Sequence, residues 1–199
     1  MNRVLLLATG GTIAGCGADS VSVNTYTAGV LAGDDLLDAV PPLPDIADIQ
    51  VEQVANVDSA DLLFQHWRAL VQRIRLAFAS DPDLTGVVIT HGTNTLEETA
   101  WLLQLLIDDM RPVVLVGAMR PATALSADGP LNLFQAVQVA CNRQARQRGV
   151  LAVMDGEIHA AAEVTKRATQ GVGAFTSSGA GPLGWVDDAG VNWSAPATC

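Results

Sequence analysis

Val88-Ile89-Thr90-His91-Gly92-Thr93-Asn94-Thr95 is the stretch that decides the fold. A short apolar, β-branched run halts at a glycine and then presents hydroxyl and amide side chains. Leu96-Glu97-Glu98 follows at once and opens an apolar, helix-like run. Open α/β sheets build small-molecule sites in this way, with a buried strand ending in a polar turn that feeds a helix N-terminus. The same grammar occurs at the start of the chain, where Val4-Leu5-Leu6-Leu7-Ala8 leads into Thr9-Gly10-Gly11-Thr12. Two threonine-bearing strand ends in one domain point to an enzyme with a hydroxyl nucleophile.

Working outward, Arg3–Ala8, Ile49–Val54, Gly86–Thr90, Pro112–Val116 and Val150–Met154 read as buried strands. Leu31–Val40 reads as a short helix stopped by Pro41-Pro42. Leu63, Trp67, Leu70, Val71, Ile74 and Phe78 recur at helical spacing behind a Ser59 cap. Thr95-Leu96-Glu97-Glu98 reads as a capping box for a helix to about Asp108. Pro130–Arg146 forms another helix, closed by Arg148 and Gly149. Thr9–Thr27 and Gly117–Gly129 are polar loops, the first of a length typical of lids. Apolar strands alternating with helices predict an α/β fold: a three-layer, doubly wound, mostly parallel sheet covered on both faces. After Met154 the pattern loosens into a small C-terminal hairpin around Asp187-Asp188-Ala189. Residues 1–193 read as one domain and residues 194–199 as a tail.

The chain of 199 residues is 49% hydrophobic and only 16% charged, enough to fill a core and too little charge for extended disorder. A formal net charge of -10 argues against nucleic acid or an anionic membrane as partner. Cys16, Cys141 and Cys199 are too widely spaced for a metal motif, and their odd number closes no disulfide framework. No apolar run is long enough to span a bilayer. Ile13-Ala14-Gly15-Cys16 looks like a lipoprotein cleavage box, yet Thr9-Gly10-Gly11-Thr12 interrupts the apolar region before it. The expected compartment is therefore cytoplasmic, with periplasmic the alternative for a mature or trimmed form.

The chemistry available is hydroxyl chemistry. Thr12 lies in a turn where Gly10 and Gly11 let backbone amides approach a ligand and stabilise an oxyanion. Its hydroxyl needs a proton acceptor, which Tyr26 provides if the loop folds back. On residue physics alone, Gly-Gly-Thr reads equally as a bare turn. Thr93 offers a second hydroxyl, and Lys166 serves as its base if burial lowers the amine pKa; the plainer reading makes Lys166 a solvated surface charge. Asn94 either binds a polar substrate or satisfies its turn. Ser59 caps a helix or receives a carboxylate there. His91, His66 and His159 read as structural.

Together these residues resemble the threonine-dependent asparaginase/glutaminase family, in its N-terminal domain and its exported subclass. The matching segments are Ala8–Gly15, Val88–Thr93, Thr95–Ala100, Gly117–Pro121, Ser126–Leu133 and Val164–Lys166, in the family's order from about Arg3 to Trp193. The resemblance implies hydrolysis of the side-chain amide of asparagine, often also glutamine, without cofactor or metal. It makes Thr12 the nucleophile and Tyr26 its helper on the lid, and assigns Thr93 and Lys166 to a second triad. It sets Gly11, Asp58, Ser59, Gly92, Asn94 and Ala118 around the substrate, with Ser59 holding the α-carboxylate. It also implies a homo-oligomer.

Two departures shape what is expected. The family has Asp where this chain has Asn94; that carboxylate binds the substrate α-ammonium, so its loss predicts weaker binding, repaired by Asn94→Asp. The family's smaller C-terminal domain is not matched, which predicts weak or absent activity for these residues alone. Two rivals follow: the asparaginase-like subunit of a tRNA-dependent amidotransferase, disfavoured by the acidic charge, and a non-catalytic amino-acid-binding module or inactive remnant.

Overall fold

The structure, a computed structural model, describes residues 1–195. Its strands are β1 (Asn2–Gly10), β2 (Cys16–Gly17), β3 (Tyr26–Thr27), β4 (Ala47–Val57), β5 (Gly86–Thr90) and β6 (Val113–Val116). They continue with β7 (Val150–Met154), β8 (Glu157–Ala160), β9 (Val164–Lys166), β10 (Phe175–Ser177), β11 (Gly184–Asp187) and β12 (Gly190–Trp193). The α-helices are α1 (Gly33–Asp38), α2 (Leu43–Ile46), α3 (Phe64–Ser80), α4 (Leu96–Leu106) and α5 (Gly129–Cys141). One sheet of eight strands runs β12-β11-β8-β7-β6-β5-β1-β4. Its β4-β1-β5-β6-β7 portion is parallel, and β8, β11 and β12 join antiparallel.

The three layers follow from strand periodicity. Successive side chains point to opposite faces, and here both faces are apolar. Leu6, Val88, Val114 and Leu151 pack with Leu36, Leu43 and Val137 of α1, α2 and α5. Their neighbours Leu5, Leu7, Ile89 and Leu115 pack with Leu70, Ile74 and Leu103 of α3 and α4. The doubly wound sandwich is as the sequence predicts. The C-terminal hairpin is also present, but it extends the main sheet through β8 and is no separate appendage.

Several boundaries differ for identifiable reasons. Ser59 does not cap α3: Leu63 is the cap residue, and the His66 Nδ1 accepts the Leu63 N–H at 3.0 Å. The capping box at Thr95 does not form, because the Thr95 hydroxyl donates to the Ser59 carbonyl at 2.8 Å. Asn142 ends α5 in an extended conformation and accepts the Gln144 N–H, turning the expected end of that helix into a separate 3-10 turn at Arg143–Ala145. The first loop contains a 3-10 turn, Thr12–Ala14, and the small β2–β3 ladder. β8 follows β7 through Asp155-Gly156, both at positive φ, a tight hairpin that the sequence signals by its Asp-Gly pair. Residues 196–199, which include Cys199 and most of the expected tail, lie outside the described residues.

Candidate active site

β1 lies between β4 and β5, so the chain leaves it to one side first and to the other side later. Such a reversal of strand order opens a crevice at the carboxyl ends of the strands. Both threonine turns lie in that crevice. Gly11 takes φ 80°, and a Cβ there would lie 2.3 Å from the Gly92 Cα. The turns after β1 and β5 thus meet backbone against backbone, which brings Thr12 and Thr93 to one rim. Each keeps 6% of its surface exposed.

The first loop folds back over the rim. Tyr26 pairs with Gly17 in the β2–β3 ladder, and its ring covers Gly15, where a Cβ would lie 2.8 Å from Tyr26 Cδ2. Its hydroxyl lies 2.7 Å from the Thr12 Oγ1. The Ala122 N–H to the Gly15 carbonyl, and the Gly17 N–H to the Thr123 Oγ1, tie this loop to the turn after β6, each at 2.8 Å. The Gly11 amide is not free for an oxyanion, a correction to the expected role: it donates to the Val57 carbonyl at 2.9 Å. The Thr12 and Thr93 amides have no protein acceptor among the described residues.

Lys166, on β9, is half-buried and donates to the Thr93 Oγ1 at 2.8 Å and to the Asn94 Oδ1 at 3.2 Å. Its backbone N–H donates to the Glu97 carboxylate of α4 at 2.5 Å, which clamps β9 against that helix. Burial pushes the lysine pKa below its ordinary value, with Asp58 and Glu97 pulling the other way. A freely solvated lysine is therefore not what the fold makes of this residue.

Asp58 and Ser59 form the adjoining wall. Asp58 caps the 3-10 turn Ser59–Asp61 by accepting the Ala60 N–H at 2.8 Å, and it also accepts the Asn94 Nδ2–H at 3.2 Å. The Ser59 Oγ accepts the N–H groups of Asn94 and Thr95 at 3.1 and 3.3 Å, at the head of α4. With its acceptor side so used, its own proton is left for a ligand. Gly92 is required beneath it, since a Cβ there would lie 2.7 Å from the Ser59 Oγ. Ala118 is buried in the turn after β6.

The structure adds supporting residues without a local sequence signal. Trp67 Nε1–H donates to Thr99 Oγ1 at 2.9 Å, and the Thr99 hydroxyl lies 2.9 Å from His91 Nε2. His91 Nδ1 lies 2.7 Å from the Gly92 carbonyl, and that carbonyl only accepts. The chain of donors therefore assigns the proton to Nδ1. Complete burial drives the His91 pKa down to about 4, so the ring anchoring Gly92 is neutral. Asp128 accepts the Met119 and Arg120 N–H groups at 2.9 Å each, and Asn132 donates to the Gly117 carbonyl at 3.1 Å. These bonds explain why Ser126–Leu133 accompanies the Gly117–Pro121 turn. A cavity of about 530 Å³ bounded by Arg3, Leu43 and Ile49 lies at the opposite end of β1 and contains none of these residues.

Similarity to known proteins extends over almost the whole chain. The family model described as Asparaginase, N-terminal, matches residues 3–198. L-asparaginase 2 of Escherichia coli is 45% identical over 192 residues, covering 96% of this chain and 54% of the relative. A glutaminase-asparaginase of Pseudomonas aeruginosa is 45% identical over 193 residues, 97% of this chain and 53% of that protein. The crystal structure of a probable cytoplasmic L-asparaginase from Campylobacter jejuni superposes with a TM-score of 0.95 at 44% identity, over 98% of this chain and 59% of its own. The chain thus spans about half the length of the curated relatives it matches.

Proposed function

Because this chain belongs to the asparaginase family, matching its N-terminal domain, we propose that the protein hydrolyses the side-chain amide of L-asparagine to aspartate and ammonia, with L-glutamine as a second substrate. The relatives' names support both substrates. Thr12 Oγ1 attacks the amide carbon while its proton passes to the Tyr26 oxygen 2.7 Å away, and the Tyr26 proton moves on to the departing ammonia. The product is an acyl-Thr12 ester. The Thr12 and Thr93 amides, which donate to no protein acceptor among the described residues, are left to stabilise the developing oxyanion. Water then attacks the ester, giving up one proton through Thr93 to Lys166, while the Thr12 oxygen leaves the acyl carbon and regains its proton from Tyr26, which restores the hydroxyl and releases aspartate. Ser59 donates to the substrate α-carboxylate, and Asn94, Gly92 and Ala118 complete the wall.

The observation that carries this reading is the pairing of two hydroxyls with two proton carriers across the Gly11–Gly92 contact. A binding module has no use for the Tyr26 and Lys166 placements. The test is ammonia release from L-asparagine and L-glutamine by the purified protein and by Thr12→Val. Release that stops in the variant supports the reading, and equal release by both rejects it. We further propose a homo-oligomer, supported by Trp101 and Leu105 exposed one turn apart on α4 (46% and 65%). Light scattering on the eluted protein checks the mass.

A further inference from the structure

We infer that Asp58 supplies the countercharge for the substrate α-ammonium, the role that the family resemblance gives to a carboxylate at position 94. This rests on the asparaginase reading above. Asn94 has both ends of its amide engaged: Oδ1 accepts from Lys166 Nζ and Nδ2 donates to Asp58 Oδ1, each at 3.2 Å. It is neutral and its Oδ1 already faces the Lys166 amine, so it offers an ammonium no countercharge. Asp58 is the opposite case. Its Oδ1 takes the Ala60 and Asn94 N–H groups, while Oδ2 has no protein hydrogen bond among the described residues. The side chain is only partly buried, open enough to meet a ligand.

Its neighbour in the chain completes the argument. The Ser59 hydroxyl proton is unspent, so a free carboxylate oxygen and a free hydroxyl donor come from adjacent residues. That pair suits the ammonium and carboxylate of a zwitterionic amino acid. Asp58 also acts electrostatically on Lys166, so its charge reaches the catalytic rim. The same contact accounts for the amide at 94. A carboxylate there would stand about 3 Å from the Asp58 carboxylate, and two such groups resist ionising together.

The experiment compares L-aspartate with succinate, which lacks only the ammonium, by calorimetry on the protein, Asp58→Asn, Asn94→Asp and the double exchange. Asparagine keeps the turn cap at position 58, so folding is retained. The parent prefers L-aspartate, and Asp58→Asn lowers L-aspartate affinity by about tenfold or more while succinate stays within about threefold. Asp58→Asn combined with Asn94→Asp restores the preference to within about threefold of the parent. Asn94→Asp alone gains less than about threefold, because the second carboxylate competes with the first. An unchanged preference in Asp58→Asn, an equal loss for both ligands, or a tenfold gain in Asn94→Asp alone overturns the inference. Asparagine hydrolysis is assayed on the same samples. An unchanged preference with continued turnover rejects the Asp58 role alone, whereas absent turnover and absent L-aspartate binding in the parent reject the asparaginase reading as well.

Discussion

Gly11 and Gly92 touch backbone to backbone, so close that a Cβ on Gly11 would lie 2.3 Å from the Gly92 Cα. Each glycine precedes a threonine, and the contact sets the spacing of the two hydroxyls. Local chemistry near each threonine is then supplied from a distance, Tyr26 by the folded-back loop and Lys166 by β9.

Gly92→Ala tests that spacing. The new Cβ would lie 2.7 Å from the Ser59 Oγ and 2.8 Å from its Cβ, inside a packed wall. We expect a destabilisation of about 1–3 kcal/mol by overpacking, and a rise in KM for asparagine as Ser59 is displaced. Urea unfolding and steady-state kinetics check both, and wild-type values in the two assays contradict the account.

Tyr26→Phe removes the partner of the Thr12 hydroxyl and leaves the ring over Gly15. A positioned proton carrier contributes about 10²–10⁴-fold, so kcat falls by that order while thermal stability barely changes. A kcat within about threefold of the parent would assign the proton to another group.

Lys166 accepts a proton only when neutral. Burial lowers its pKa from the ordinary 10.5, so the neutral form appears at lower pH than for a free lysine. The rate therefore rises with pH, with its midpoint shifted below that of a free lysine. Arginine stays protonated, so Lys166→Arg lowers kcat and loses this limb. A pH–rate profile of kcat for both proteins decides it.

His91 predicts an acid limit to stability. Its folded pKa of about 4 lies below the ordinary 6.5, so the unfolded chain binds a proton that the folded one refuses. The contribution is complete above pH 6.5 and is lost as pH falls from there toward 4, on the order of 3 kcal/mol in all. Unfolding free energies measured between pH 7 and 5 should fall more steeply for the parent than for His91→Gln.

The strands were legible because both of their faces are apolar, as at Val87-Val88-Ile89. The two threonines were legible because each follows a strand that ends in glycine. Less legible was anything set by contact between distant segments. Ser59 sits before a helical pattern, and only the fold shows that its oxygen serves the head of α4 instead. The Gly11 amide looked free in the sequence and is consumed by Val57, a residue of the neighbouring strand. Glu97 and the chain from Trp67 through Thr99 to His91 join separate elements and leave no periodic trace. The Asp155-Gly156 hairpin joins adjacent strands, and a reading that ends the regular pattern at Met154 passes over its turn residues.

The central claim is a covalent ester on Thr12. Protein quenched in acid during turnover of L-asparagine, digested and analysed by mass spectrometry, tests it most directly. The account predicts one aspartyl group on the peptide containing Thr12, absent in Thr12→Val and enriched in Lys166→Arg, where hydrolysis of the ester is slowed. Ammonia release with the Thr12 peptide unmodified throughout, and the aspartyl group found instead on the Thr93 peptide, would contradict it.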